Sequence, residues 1–285
     1  MLRNSLRRHA VVAYFVLAFA MTWGAILLLI LPNITPGAQA APLYFALLFL
    51  FMLCGPSIAG VTMTAVTGGR AGLVALAHRM RKWRLPLRWY AVATLTVPVT
   101  TLIVLSALAI FVAPAYAPGF QPIGLVIGLI AGFFEEIGWT GFALPALQTR
   151  FRPLAAGLIF GLIWAVWHGM ADFVGTGATP STQWALNYLA FCVPLVAYRL
   201  LMTWVYNHTG SVLLAQWMHA WYTGTLIMLS PALLAPMSLI WQGLWAVLLW
   251  VIVVGVYLYE RTHKPARLTE PKHQALRNSQ LQTGE

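Results

Sequence analysis

Acidic residues are nearly absent from this sequence. Six Asp and Glu occur in 285 residues, and charged residues of both signs make up only 8%. A soluble domain carries about 25% charged residues, so an ordinary water-facing surface is excluded. Cysteine is equally scarce: Cys54 and Cys192 both lie inside apolar runs. That excludes a disulfide framework and a thiolate metal cluster, and leaves two small buried hydrophobes. The chain has no internal repeat, no Gly-rich nucleotide loop and no low-complexity tract.

What the sequence has instead is apolar length. Hydrophobic residues make up 60% and the mean hydropathy is +0.78. A membrane-spanning helix needs ~20 mostly apolar residues. Eight such runs occur, at about 10–31, 42–67, 89–113, 121–148, 153–173, 184–206, 211–230 and 238–259. The expected fold is therefore all-α, a polytopic membrane helix bundle of about eight transmembrane helices occupying 10–260. A basic tail (1–9) precedes it and a polar tail (261–285) follows. The first run follows Arg3, Arg7 and Arg8 and precedes Ala38-Gln39-Ala40, as in a signal peptide. It is nevertheless longer than the roughly 7–15 residues of a signal-peptide core, and reads as a span.

Charge then sets the expected topology. The net charge is +11, but Lys and Arg are confined to short loops and tails, a pattern of anchoring to anionic lipid rather than nucleic acid. Arg70, Arg79, Arg81, Lys82, Arg84 and Arg88 cluster between the second and third runs. Arg150 and Arg152 lie between the fourth and fifth. Pro32–Ala41, Pro114–Phe120, Val174–Gln183 and Pro231–Met237 hold neither Lys nor Arg. The positive-inside rule then predicts both termini in the cytoplasm of a bacterial-type inner (plasma) membrane. The segment Leu73–Leu87 reads either as an amphipathic helix on the inner leaflet or as a solvated basic loop.

Against this background, two acids stand side by side in the fourth run, Glu135 and Glu136, and a third, Asp172, sits in the fifth. A charged side chain at the bilayer centre costs about 2.5–3.5 kcal/mol, so intramembrane acids mark candidate sites. Adjacent helical residues point ~100° apart, so the two glutamates serve different roles. His168 in the fifth run shares a helix face with Asp172, and His219 in the seventh shares one with Thr223. Carboxylates and imidazoles on three helices suit a polarised water or a divalent metal. They suit proton-coupled transport equally well, or hydrogen bonds between helices.

These residues carry a resemblance. Glu135-Glu136-Ile137-Gly138-Trp139-Thr140 is similar to a Glu-Glu-x-x-x-Arg motif, and Trp164-Ala165-Val166-Trp167-His168 to Phe-x-x-x-His. His219 to Thr223 resembles a His followed four residues later by Asn, and Tyr206-Asn207-His208-Thr209-Gly210-Ser211 is a typical lead-in. Together they resemble the CPBP intramembrane proteases, also called the Abi or CAAX-protease family, over a core at about 121–230. This group includes the type II CAAX prenyl endopeptidases.

The resemblance implies a glutamate-type endopeptidase of the membrane. Glu135 would be the base, Glu136 a supporting carboxylate, and His168 and His219 ligands of water or oxyanion stabilisers. Alternatively Glu135, His168 and His219 would ligate a divalent metal such as Zn2+. Substrates would be peptides or proteins at the bilayer, including lipid-modified ones. Three positions depart from the motifs: Thr140 replaces Arg, Thr223 replaces Asn and Trp164 replaces Phe. Without the motif Arg, Glu136 must be protonated, face a water-filled cavity, or pair with a distant cation such as Arg199. Asp172 is an additional acid, either a partner of His168 or a group near the outer membrane face. Two other functions remain open at this stage, a catalytically impaired scaffold or bacteriocin-immunity-type protein and a proton-coupled transporter.

Overall fold

The computed structural model describes residues 9–37 and 41–263; nearly all of the two tails, and Ala38-Gln39-Ala40, lie outside them. Each of the eight apolar runs forms a helix. These are α1 (Ala10–Ala25), α2 (Pro42–Met80), α3 (Leu87–Phe111), α4 (Ile123–Gly138), α5 (Pro153–Gly175), α6 (Thr182–Thr209), α7 (Val212–Leu229) and α8 (Met237–His263). α1 continues through a wide turn to Asn33, and α4 through a second wide turn, Trp139–Ala143, to Leu147. No strand occurs among the described residues.

Seven of the eight are long and apolar enough to cross a membrane, and α7 is the exception. Gln216, His219 and three threonines or tyrosines lower its apolar content, and it lies in the interior of the bundle. The chain is a multi-pass membrane protein, all-α as expected.

Loop contacts sort the connections into two ends. Gly37 N–H donates to the Gly177 carbonyl (2.8 Å), and Gly119 N–H to the Leu229 carbonyl (2.9 Å). These bonds gather loops that lack Lys and Arg. At the other end Ser211 Oγ donates to the Lys82 carbonyl (2.7 Å). The alternation of charge read from the sequence is thus a real separation of ends.

The basic stretch after Gly68 does not behave as a solvated loop. α2 bends at Gly69, where φ is +59°, then runs on to Met80. Leu76 is buried. Arg79 turns inward, donating to the Tyr206 hydroxyl and the Gly141 carbonyl, both at 2.7 Å. A helix carrying arginines survives here because the guanidinium finds acceptors in the bundle.

Small residues bring the two site helices together. Gly124, Gly128 and Gly132 fall one turn apart on α4. A methyl group on any of them would collide with backbone of α7 at Gly224, Ala220 or Gln216. Such close approach, allowed only by small side chains, is how membrane helices gain packing where lipid gives no hydrophobic drive. Gln216 Nε2 then reaches the Phe133 carbonyl at 2.7 Å. The contact fixes α7 beside the turn that carries both glutamates. Cys54 and Cys192 are unbridged.

Candidate active site

Glu135 and Glu136 point into the protein from the last turn of α4, 4% and 0% exposed. Their surroundings differ sharply. The Glu136 carboxylate is saturated: Arg199 Nη2 donates to Oε1 at 2.7 Å and Nη1 to Oε2 at 3.0 Å. Thr140, one turn on, donates its hydroxyl to Oε2. His219 Nδ1 lies 2.8 Å from Oε1.

Arg199 is itself 0% exposed. Its guanidinium carbon lies 3.8 Å from the centre of the Trp164 ring and 4.6 Å from that of Phe160. A desolvated guanidinium held by a bidentate carboxylate and aromatic faces is a strong arrangement. Of the three fates left open for Glu136, pairing with Arg199 is the one the protein adopts. The cation comes from α6 instead of from position 140, and Thr140 adds a hydrogen bond in place of the motif Arg. Trp164, a conservative change on paper, is the face on which Arg199 lies.

Glu135 is left with capacity to spare. Trp139 Nε1 donates to its Oε2 at 3.3 Å, and His219 Nε2 stands 3.9 Å from the same oxygen. That separation is too long for a hydrogen bond and matches what one water can bridge. With Nδ1–H given to Glu136, His219 turns its Nε2 toward Glu135. The supporting carboxylate thus orients the imidazole, and the imidazole faces the second carboxylate.

The other expected residues are placed as follows. His168 donates Nδ1–H to the Trp164 carbonyl at 2.8 Å, so its Nε2 is free of a proton. Its ring packs against Trp164 and Trp167 at 5.0 and 4.9 Å. Among the described residues no hydrogen bond or ion pair joins it to Glu135, Glu136 or His219. Thr223 is half-buried and donates no hydrogen bond to the cluster. Asp172 does not partner His168; its Oδ2 accepts from Trp184 Nε1 at 2.8 Å, toward the end lacking Lys and Arg. Of the tryptophans of α5 and α7, Trp164 and Trp167 are fully buried, while Trp217 is partly exposed and donates to the Thr94 hydroxyl.

The metal expectation meets a geometric obstacle. Among the described residues no group of three or more His, Cys, Asp or Glu is placed to hold an ion. His168, His219 and Glu135 have suitable atoms, yet do not converge. No step below is assigned to a metal.

Two features were not anticipated from the sequence. Trp139 steadies Glu135 from one turn away, and the wide turn Trp139–Ala143 loosens α4 immediately after the glutamates. Wide helical turns of this kind recur at functional sites. The sequence sign was a glycine pair, Gly138 just before the turn and Gly141 within it.

Known proteins place the same segment. Residues 117–225 match the family described as type II CAAX prenyl endopeptidase Rce1-like. A protein called CAAX prenyl protease 2, from Methanococcus maripaludis, is 30% identical over 107 residues. That match covers 35% of this chain and 38% of the archaeal protein, so the chain spans well under two thirds of that relative's length. The matched stretch holds Glu135, Glu136, His168, Arg199 and His219, so the part of the chain that carries the candidate site is the part similar to the CAAX proteases.

Proposed function

We propose that the chain is an intramembrane endopeptidase of the glutamate type, hydrolysing a peptide bond of a membrane-associated protein or peptide. The observation that carries it is the 3.9 Å gap between Glu135 Oε2 and His219 Nε2, faced by a carboxylate oxygen and an imidazole nitrogen. A water in that gap would give one hydrogen to Glu135 and the other to His219. Its lone pair would then be free to attack a carbonyl carbon. Glu135 takes the proton as the C–O bond forms, and passes it to the departing amine as the C–N bond breaks. Glu136, held ionised in form by Arg199 and Thr140, keeps His219 in the tautomer that accepts. His168, with its Nε2 also bare, stands as a second polar group toward the reacting carbonyl. The metallo- and metal-free versions share these residues, and the chain's own groups suffice for the proton transfers.

Arg199 bears on the scaffold alternative. That reading rested on the missing motif Arg and motif Asn, and a guanidinium supplied from α6 answers the first of the two. We further propose that the basic end faces the cytoplasm, in line with the positive-inside rule.

The test is cleavage of apolar peptides by purified full-length protein in detergent, run in 18O-labelled water. The wild type should produce new carboxyl termini carrying one label, and Glu135→Gln should produce none. A Glu135→Gln variant that cleaves at the wild-type rate would remove Glu135 as base and sink the reading.

A further inference from the structure

A second concavity lies at the end of the bundle whose loops lack Lys and Arg. It is an open cleft of about 620 Å3 between α5, α6 and α8, within the range of about 300–1,000 Å3 typical of ligand sites. Asp172, Trp184, Asn187, Phe191, Trp241 and Trp245 make its characteristic walls. Asp172 presents a carboxylate of which one oxygen is steadied by Trp184 Nε1 at 2.8 Å. The other oxygen takes no hydrogen bond among the described residues.

No Lys, Arg or His lines the cleft, and the loops at this end carry no Lys or Arg. Among the described residues, a half-buried carboxylate in a protein of net charge +11 therefore has no cation within the cleft. Indole rings line the same cleft: Trp184 lies flat on Tyr188 (5.6 Å, 9° between planes), and Trp241 on Trp245 (5.4 Å). A carboxylate among aromatic faces is the environment that recognises an ammonium or guanidinium group, through charge and ring quadrupole together.

The cleft also leads to the site. Phe191, on its wall, lies 6.0 Å from His168, and Trp245 lies 5.8 Å from Tyr222, whose ring is 6.2 Å from Trp164. One aromatic layer separates the two. Asp172 follows His168 by one helical turn, about 6 Å along the axis, which an extended peptide covers in about two residues.

We propose that this cleft binds a Lys or Arg side chain of an apolar peptide substrate, entered from the end opposite the basic loops. The word substrate rests on the protease reading; the binding of the cationic side chain does not.

Binding is tested in the Glu135→Gln background, so that no peptide is consumed. The probes are two capped apolar tetrapeptides, identical except for one Lys or Gln, and the readout is tryptophan fluorescence of the detergent-solubilised full chain. The Lys peptide should bind about tenfold more tightly than the Gln peptide. Adding Asp172→Asn, which keeps an oxygen for Trp184, should abolish that preference, and Asp172→Glu should retain it. Equal binding of the two peptides overturns the proposal, as does a preference that survives Asp172→Asn. Displacement by phosphoethanolamine as strong as by the Lys peptide would also overturn it, in favour of a lipid headgroup. The two readings fail separately. A Lys preference without cleavage by the wild type drops the protease and keeps the cleft, whereas cleavage indifferent to Lys drops the cleft and keeps the protease.

Discussion

Two buried imidazole–carboxylate pairs stand among the described residues, and only one of them faces a second carboxylate. In the centre, His219 meets Glu136 at 2.8 Å. Near the basic end, His208 Nε2 meets Glu260 Oε1 at 3.1 Å, with Trp204 Nε1 on the same oxygen at 3.2 Å. Both pairs tie helices together, the first across α4, α6 and α7, the second across α6 and α8. The difference is what lies next to them. Glu136 is flanked by a second carboxylate that its neighbours leave under-satisfied, and the imidazole between them presents a free nitrogen. Glu260 has no acidic neighbour among the described residues; His208 Nδ1 lies on the Trp204 carbonyl at 2.9 Å, and neither His208 Nε2 nor Glu260 Oε2 makes a hydrogen bond. An imidazole–carboxylate pair alone therefore does not mark a candidate site; a second carboxylate across the same imidazole does.

The comparison is broken most severely at Glu135. Glu135→Gln keeps shape and removes the base, so cleavage should fall by about 10³-fold while thermal unfolding in detergent stays in place. Arg199→Met acts on the other half of the pair. It leaves Glu136 a buried charge without its counter-ion, an expected loss of about 3–5 kcal/mol in stability, read as a lower unfolding midpoint. Arg199→Met combined with Glu136→Gln should recover most of that loss, because no unpaired charge remains. If Arg199→Met is as stable as the wild type, the ion pair is not what holds Glu136.

The second pair should respond in the opposite sense. Glu260→Gln retains an acceptor for Trp204 and weakens only the contact to His208, an expected loss of about 1 kcal/mol. Cleavage should stay within about twofold of the wild type. Loss of cleavage without loss of stability would mean that the staple at the basic end reaches the centre, and the distinction drawn above would fall.

How far the sequence revealed these pairs depended on range. All eight helices were legible, because apolar length is a property of each segment alone. Glu135, Glu136 and His219 were legible because charge and imidazole are rare inside apolar runs, and Arg199 was noticeable on the same ground. Its partner was not, since three fates of Glu136 are equivalent until α6 is packed against α4. The glycines of α4 that let α7 approach were silent for a similar reason: Gly124, Gly128 and Gly132 read as ordinary apolar sequence until their neighbour is known. The path of α2 past Gly69 was left between a helix and a solvated basic loop. Six basic residues suit either, and nothing in that stretch shows that the Gly141 carbonyl, released by a wide turn in another helix, awaits Arg79. His208 entered only as part of the Tyr206–Ser211 lead-in and Glu260 drew no notice, since α7 separates them in the chain and both lie near span ends, where polar residues are common.

The smallest effect expected is that of metal removal, and it sharpens the central pair most. Two ligands of a tetrahedral zinc ion sit about 3.4 Å apart, whereas His219 Nε2 and Glu135 Oε2 are 3.9 Å apart and His168 joins neither. A water bridging the first two needs no third ligand. Dialysis against EDTA should then leave the cleavage rate unchanged, and the purified protein should hold metal at well below one ion per chain. Cleavage lost to EDTA and restored by zinc would require the His168 ring to leave the Trp164 carbonyl and swing onto the ion. His219 would then serve as ligand, and the saturated Glu136 beside it would be the residue that raises its basicity instead of the one that orients a water.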